Sequence, residues 1–93
     1  MEQKILEVYS ETSNYGIVKM PGRSFPGCVV QGDSLAILCG YARSIHLRAT
    51  ELDGHNDLVD EARELLDLLQ GRLRHYEHVL ANHNLTLPYT KQP

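Results

Sequence analysis

The sequence predicts an α+β protein in which a three-stranded antiparallel β-meander packs on an antiparallel two-helix hairpin. The first 31 residues contain short β-branched and aromatic runs, separated by polar or Pro-Gly segments. From residue 33 onward, apolar residues recur every three or four positions, which is typical of amphipathic helices. A chain of 93 residues with 42% hydrophobic residues can build one core, so we expect a single domain over residues 1–93.

Three strands are predicted within the β-meander at 1–31. They cover residues 4–10, 15–20 and 28–31, and a polar turn at 11–14 joins the first two. Two Pro-Gly dipeptides, at 21–22 and 26–27, predict a loop with two type II turns, because proline presets φ and glycine accepts a positive φ. This loop should lead the chain from the second strand to the third.

The first predicted helix covers 33–50, with Asp33 or Ser34 as its N-cap. Its apolar residues are expected to face inward: Leu35, Leu38, Tyr41, Ala42 and Ile45.

The second predicted helix covers 57–83, and Asn56 or Asp57 should cap it. Its inward face should consist of spaced apolar residues, and neighbouring apolar residues broaden it. The first set is Leu58, Ala62, Leu65, Leu69, Tyr76 and Leu80, and the second is Val59, Leu66, Leu73 and Val79. Asn82 or Asn84 can end this helix in the left-handed conformation. The tail at 84–93 is apolar over 85–89, so we expect that part to pack back across the helices or the sheet.

Charge and hydropathy argue against two classes of partner. The net charge of −3 provides no basic field for nucleic acid, and no apolar run is long enough to span a bilayer. The chain also begins without a signal-peptide pattern, so a cytoplasmic location is expected. Cys28 and Cys39 match neither redox nor zinc spacing, and both are expected to be buried, unpaired thiols.

Three patterns suggest chemistry, and each has a plainer structural explanation. Gly32 to Leu35 spells the GDSL nucleophile motif, but the chain is too short for the parallel sheet of such hydrolases, so Asp33 and Ser34 are interpreted as helix caps. His75, His78 and His83 cluster late but do not share one helix face. The string from Asp53 to Asp57 lacks the glycine that a calcium loop needs at its sixth position, where this chain has Leu58. We therefore expect no catalytic residues, metal site or cofactor.

One surface pattern on the second helix points to binding. Five carboxylates recur at spacings of three and four residues, opposite the leucine face, and we call them the acidic ridge: Asp57, Asp60, Glu61, Glu64 and Asp67. The pattern fits an ordinary solvated face, and it also fits a dock for a basic partner whose association such charges would accelerate.

Two segments resemble a family of short bacterial proteins of unknown function. The first is the PGRSFPGCVVQGDSL segment at 21–35, and the second combines HYE at 75–77 with LPY at 87–89. Immediately before Pro-Gly-Arg, members of that family have leucine, whereas this chain has Met20. The resemblance implies no catalytic residues and no established activity.

Three functional hypotheses follow from the residues. The leading one is a protein-binding module, and by analogy with other small acidic proteins it is a bacterial immunity protein. Such a protein would cover a toxin's active site with the acidic ridge and with Arg23 and Phe25 of the Pro-Gly loop. The second is a homo-oligomer, such as a homodimer, in which a second subunit covers the wide apolar helix face. The third is a small esterase that uses Ser34.

Overall fold

The computed structural model describes residues 1–11 and 15–91, and it confirms the α+β class. Its elements are three strands, β1 (Glu7–Ser10), β2 (Ile17–Lys19) and β3 (Gly27–Cys28), followed by two helices, α1 (Gly32–Thr50) and α2 (Asn56–Asn82). The chain divides into two compact units, Met1–Gln31 and Gly32–Pro93, which are described separately below. In the described ranges, no helix is long and apolar enough to cross a membrane.

The first unit is an antiparallel sheet with strand order β1-β2-β3. Val8 pairs with Val18, and the next pair joins Ser10 to Ile17, so a β-bulge at Tyr9 interrupts the register. All three strands are shorter than the sequence predicts, although the Val29 N–H still donates to the Gly16 carbonyl at 2.8 Å, one residue beyond β3. Most of the turn predicted at 11–14 lies outside the described residues.

Only one of the two Pro-Gly segments forms the predicted turn. The Arg23 N–H donates to the Met20 carbonyl at 3.2 Å, and Gly22 has a φ of 80°, as the third position of a type II turn requires. The prediction of a second such turn is wrong, because Gly27 pairs with Val18 in β3 and has no positive φ.

The second unit is an antiparallel helical hairpin whose helices meet along a seam of small side chains. The most buried apolar residues of the unit are Leu35, Cys39, Ala42, Ala49, Ala62 and Leu66. Because four of these six side chains are alanine or cysteine, the two helix axes can approach closely. At the open end of the hairpin, any side chain at Gly32 would overlap the ring of Tyr76, so glycine is required there.

The inward face predicted for each helix is partly wrong. Leu35 and Ala42 are buried as expected, but Leu38, Tyr41 and Ile45 of α1 are exposed, as are Leu58 and Leu65 of α2. A helix that packs on one neighbour buries a narrow stripe, and here the stripe runs through the small residues. The large apolar residues beside the stripe therefore stay at the surface of the hairpin.

The helix starts differ slightly from the prediction. α1 begins at Gly32, which places Asp33 and Ser34 inside its first turn rather than at the cap. The N-cap of α2 is His55, and Asn56 is the first helical residue. The His55 side chain makes no capping hydrogen bond. The caps predicted at these four residues, Asp33, Ser34, Asn56 and Asp57, are therefore wrong by one to three positions.

The end of α2 confirms one of the two predicted stops. Asn84 has a φ of 56° and follows the C-cap His83. The Leu85 N–H donates to the Leu80 carbonyl at 2.9 Å, and the Asn84 N–H donates to the Ala81 carbonyl at 3.1 Å. These two bonds form a Schellman motif, which satisfies carbonyls that the helix end would otherwise leave unpaired.

Substitutions at this helix end should have opposite effects. Asn84→Gly should raise the free energy of unfolding by about 0.5 kcal/mol, because glycine adopts a positive φ without a steric penalty. Asn82→Gly, two residues earlier and still helical, should lower it by about 0.5 to 1 kcal/mol. Urea denaturation of both variants and the wild type measures the two changes, and equal signs would contradict this account of the helix end.

Candidate functional site

The acidic ridge lies on the outer surface of α2. All five of its carboxylate residues are exposed. At about 100° per residue they fall within an arc of about 120°. The arc is opposite Leu66 and Leu73, which face the seam. The ridge is therefore presented by one continuous helix of 27 residues, with its charges directed away from α1.

One apolar side chain that sequence reasoning missed lies within the ridge. Leu68 is 54% exposed, and its helical position falls between those of Glu61 and Glu64. The signal was available in the sequence, because Leu68 does not share the period of the inward-facing leucines. Leu68 follows Asp67 at the C-terminal end of the ridge, with Glu64 one turn before it and Arg72 one turn after it, and it supplies contact area beside the charges.

Arg23 and Phe25 lie together in the Pro-Gly loop of the first unit. Phe25 is 82% exposed, and the loop from Met20 to Gly27 surrounds a shallow hollow of about 570 Å³. The type II turn at Pro21-Gly22 fixes the start of this loop. The structure therefore places the seven predicted binding residues in two groups, five on α2 and two on this loop.

A groove lies between the two helices, and the C-terminal tail borders it. It encloses about 970 Å³ and is lined by small, apolar and charged side chains, among them Cys39, Arg43, Arg74, Glu77, Tyr89 and Lys91. The Tyr89 hydroxyl donates to Glu77 Oε2 at 2.9 Å, in a partly buried hydrogen bond. This contact confirms that the tail packs back onto the helices.

Burial changes the acidity of two groups in this groove. Burial raises the pKa of Tyr89 well above its ordinary value of 10.0, and the hydrogen bond to Glu77 raises it further. Burial also raises the pKa of the Cys39 thiol, although the positive charge of Arg43 opposes that shift. Both groups are therefore held in their neutral forms at physiological pH.

The two cysteines have different environments, which corrects one expectation. Cys39 is 1% exposed in the seam, as predicted, but Cys28 is exposed at the end of β3. Both are free thiols. Because β3 is only two residues long, the sheet cannot cover the side chain of Cys28.

The other patterns singled out in the sequence form no polar cluster. Ser34 lies in the first turn of α1, where its backbone N–H donates to Asp33 Oδ1 at 2.9 Å. The late histidines are exposed, and the ring of His78 bonds the side chain of Asn82. Within residues 1–11 and 15–91, no three histidine, cysteine or acidic side chains come together as metal ligands.

The fold and its surfaces define a small α+β protein, built from a three-stranded antiparallel sheet and a helical hairpin, with a carboxylate ridge along the second helix. The chain belongs to the family of unknown function DUF6959, whose model matches residues 1–89. No curated protein and no solved structure matches the chain.

The two thiols should react at different rates. Ellman's reagent should modify Cys28 rapidly, whereas Cys39 should react only when the helical hairpin opens, because its thiol is buried. Absorbance during the reaction should show one fast thiol per chain, and Cys28→Ser should remove the fast phase. A fast phase that survives in Cys28→Ser would show that the seam is open.

The bond between Tyr89 and Glu77 should stabilise the tail. Tyr89→Phe removes only the hydroxyl and should lower the free energy of unfolding by about 1 kcal/mol at neutral pH. Tyr15→Phe is the matched control, because the Tyr15 side chain is 75% exposed. Urea denaturation gives both values, and equal effects would contradict a special role for the Tyr89 hydroxyl.

The same variant should change the pH dependence of stability. The pKa of Tyr89 is higher in the folded state than its ordinary value of 10.0, so above that pH the unfolded chain loses this proton first. Ionisation then favours unfolding, and the stability that the hydroxyl contributes is complete below pH 10.0 and falls as the pH rises above it. The stability difference between wild type and Tyr89→Phe should therefore shrink in alkaline solution.

Proposed function

We propose that this protein is a non-catalytic binding module that recognises a basic protein partner through the acidic ridge of α2. The observation that carries the proposal is the set of five exposed carboxylates on one helix face, with the exposed Leu68 among them. Carboxylates on a single rigid element attract a basic surface over several ångströms and accelerate its association. They also repel the phosphates of nucleic acid, which argues against that class of partner.

The partner class that best suits this surface is a cytoplasmic toxin, which would make the chain a bacterial immunity protein. A toxin that acts on nucleic acid needs a basic active-site surface, and a carboxylate ridge complements such a surface directly. Inhibition would require only that the ridge cover the active site. A standard interface buries about 800 Å² on each partner.

The Pro-Gly loop is a second contact candidate on the other unit. Phe25 is a largely exposed aromatic side chain and Arg23 is a neighbouring cation, and both residue types are enriched among the anchors of protein interfaces. The turn at Pro21-Gly22 limits the freedom of this loop, so less entropy is lost when it is bound.

A charge-reversal experiment tests the ridge. Tagged protein purified from its native host should carry one stoichiometric partner with a basic surface. Glu64→Lys combined with Asp67→Lys should lower the association rate about tenfold or more, because both residues are exposed on the outer face of α2. Surface plasmon resonance at low and high salt measures the rate and its electrostatic part.

The control carries the same change of net charge at another place. Glu2→Lys combined with Glu11→Lys reverses two exposed carboxylates of the first unit and should leave the association rate within about twofold. Recovery of no partner, or equal losses in both double variants, would contradict the proposal. Protection of cells against a toxin encoded beside this gene would support the immunity role, and failure to protect would remove it.

A further inference from the structure

A second surface of the helical hairpin is apolar, and the acidic ridge does not include it. It consists of large side chains that flank the seam, and we call it the apolar flank: Leu38, Tyr41 and Ile45 of α1, with Leu58 and Leu65 of α2. Tyr41 is 66% and Ile45 is 51% exposed. None of these residues lines the groove beside the tail, so the flank and the groove are different surfaces.

Both helices direct the apolar flank to the same side of the hairpin. On α1 these residues lie about 60° to 120° from the centre of the buried stripe, in the sense opposite to the residues that line the groove. On α2, Leu58 and Leu65 lie to one side of the buried stripe. Because α2 runs antiparallel to α1, that side of α2 faces the same way as the flank residues of α1. The hairpin therefore has the outline of half a four-helix bundle, with a small-residue seam inside and large apolar side chains on one face.

From this arrangement we infer that the apolar flank binds a second copy of the chain, forming a homodimer with a four-helix core. The chemistry at the edges of the flank is what favours a second copy. Arg48 borders the flank on the outer edge of α1, and Glu61 borders it on the outer edge of α2. Neither side chain has an ion-pair partner in the part of its own chain that the structure describes.

A half-turn about an axis parallel to the helices brings these unlike charges together. Arg48 lies two residues before the end of α1 and Glu61 five residues after the start of α2. Both residues lie close to the connection between the helices, so their positions along the bundle axis differ by about one helical turn. The rotation places α1 of one copy over α2 of the other, so Arg48 meets Glu61 at both edges of the dimer.

The size of the flank sets the strength of this dimer. Its five side chains span two turns on each helix, about 10 Å, and a pair of packed helices is about 20 Å wide with its side chains. With Arg48 and Glu61 at its edges, the face belongs to the smaller class of interfaces, below about 600 Å² per partner, so we expect a weak dimer. The other four ridge residues point away from this face, so a dimer would leave them free for another partner, whereas Glu61 takes part in the dimer contact.

Light scattering coupled to size-exclusion chromatography tests the oligomeric state of the full chain. The expected mass is twice the 10.5 kDa of one chain. Ile45→Glu should raise the dissociation constant of the dimer about 30-fold or more, because it buries an unpaired carboxylate at the centre of the interface. Ile37→Glu is the matched control, since Ile37 is 61% exposed on the same helix but lines the groove.

A charge swap tests the symmetry of the dimer without changing its apolar core. Arg48→Glu and Glu61→Arg should each raise the dissociation constant about three- to tenfold, and the double variant should restore it. Sedimentation equilibrium measures these constants, and circular dichroism checks that each variant keeps its helices. A strictly monomeric wild type, a dimer that Ile37→Glu disrupts as much as Ile45→Glu does, or a double variant that adds the two losses would overturn the proposal.

Discussion

The close contact of α1 and α2 through small side chains is the constraint on which the rest of the hairpin depends. Cys39, Ala42 and Ala62 occupy the seam, and residues of this size allow two helix axes to approach closely. The close approach leaves little room between the helices for large side chains. Tyr41, Ile45 and their neighbours are therefore displaced to the flank, where the hairpin cannot cover them.

The surface of α2 is consequently divided into parts with different chemistry. Its inner stripe meets α1, its outer face carries the acidic ridge, and one side contributes to the apolar flank while the other borders the groove and the tail. A ridge of like charges costs stability through mutual repulsion, although acids in the first turns of a helix are favoured by its dipole. The ridge is the surface proposed to bind a basic partner, and the apolar flank, which borders it at Glu61, is the surface proposed for self-association.

The tail closes the hairpin on the side opposite the flank. The Schellman motif at Asn84 reverses the chain at the end of α2, and Tyr89 then reaches Glu77, about one and a half turns before the helix end. The groove beside it contains a buried thiol and a tyrosine hydroxyl, and burial raises the pKa of both groups. The family model matches residues 1–89, so the matched region includes the tail as far as Tyr89.

The sequence alone determined the order and type of the elements and the position of the ridge. Short β-branched runs, the turn at Pro21-Gly22, the helical periods and Asn84 as a stop are local features, because backbone preference and hydrogen bonds between near neighbours decide them. The carboxylates of the ridge share a helix face by spacing alone.

Only the tertiary structure decided which apolar residues are inside. Helical periodicity placed Tyr41 and Ile45 with Ala42, since it locates an apolar arc but not the narrower stripe that one neighbouring helix covers. The exposure of Cys28 likewise depends on how few residues β3 contributes to the sheet. Whether a residue is buried depends on the surface that packs against it as much as on the residue itself. The sequence does not specify how closely two elements will pack.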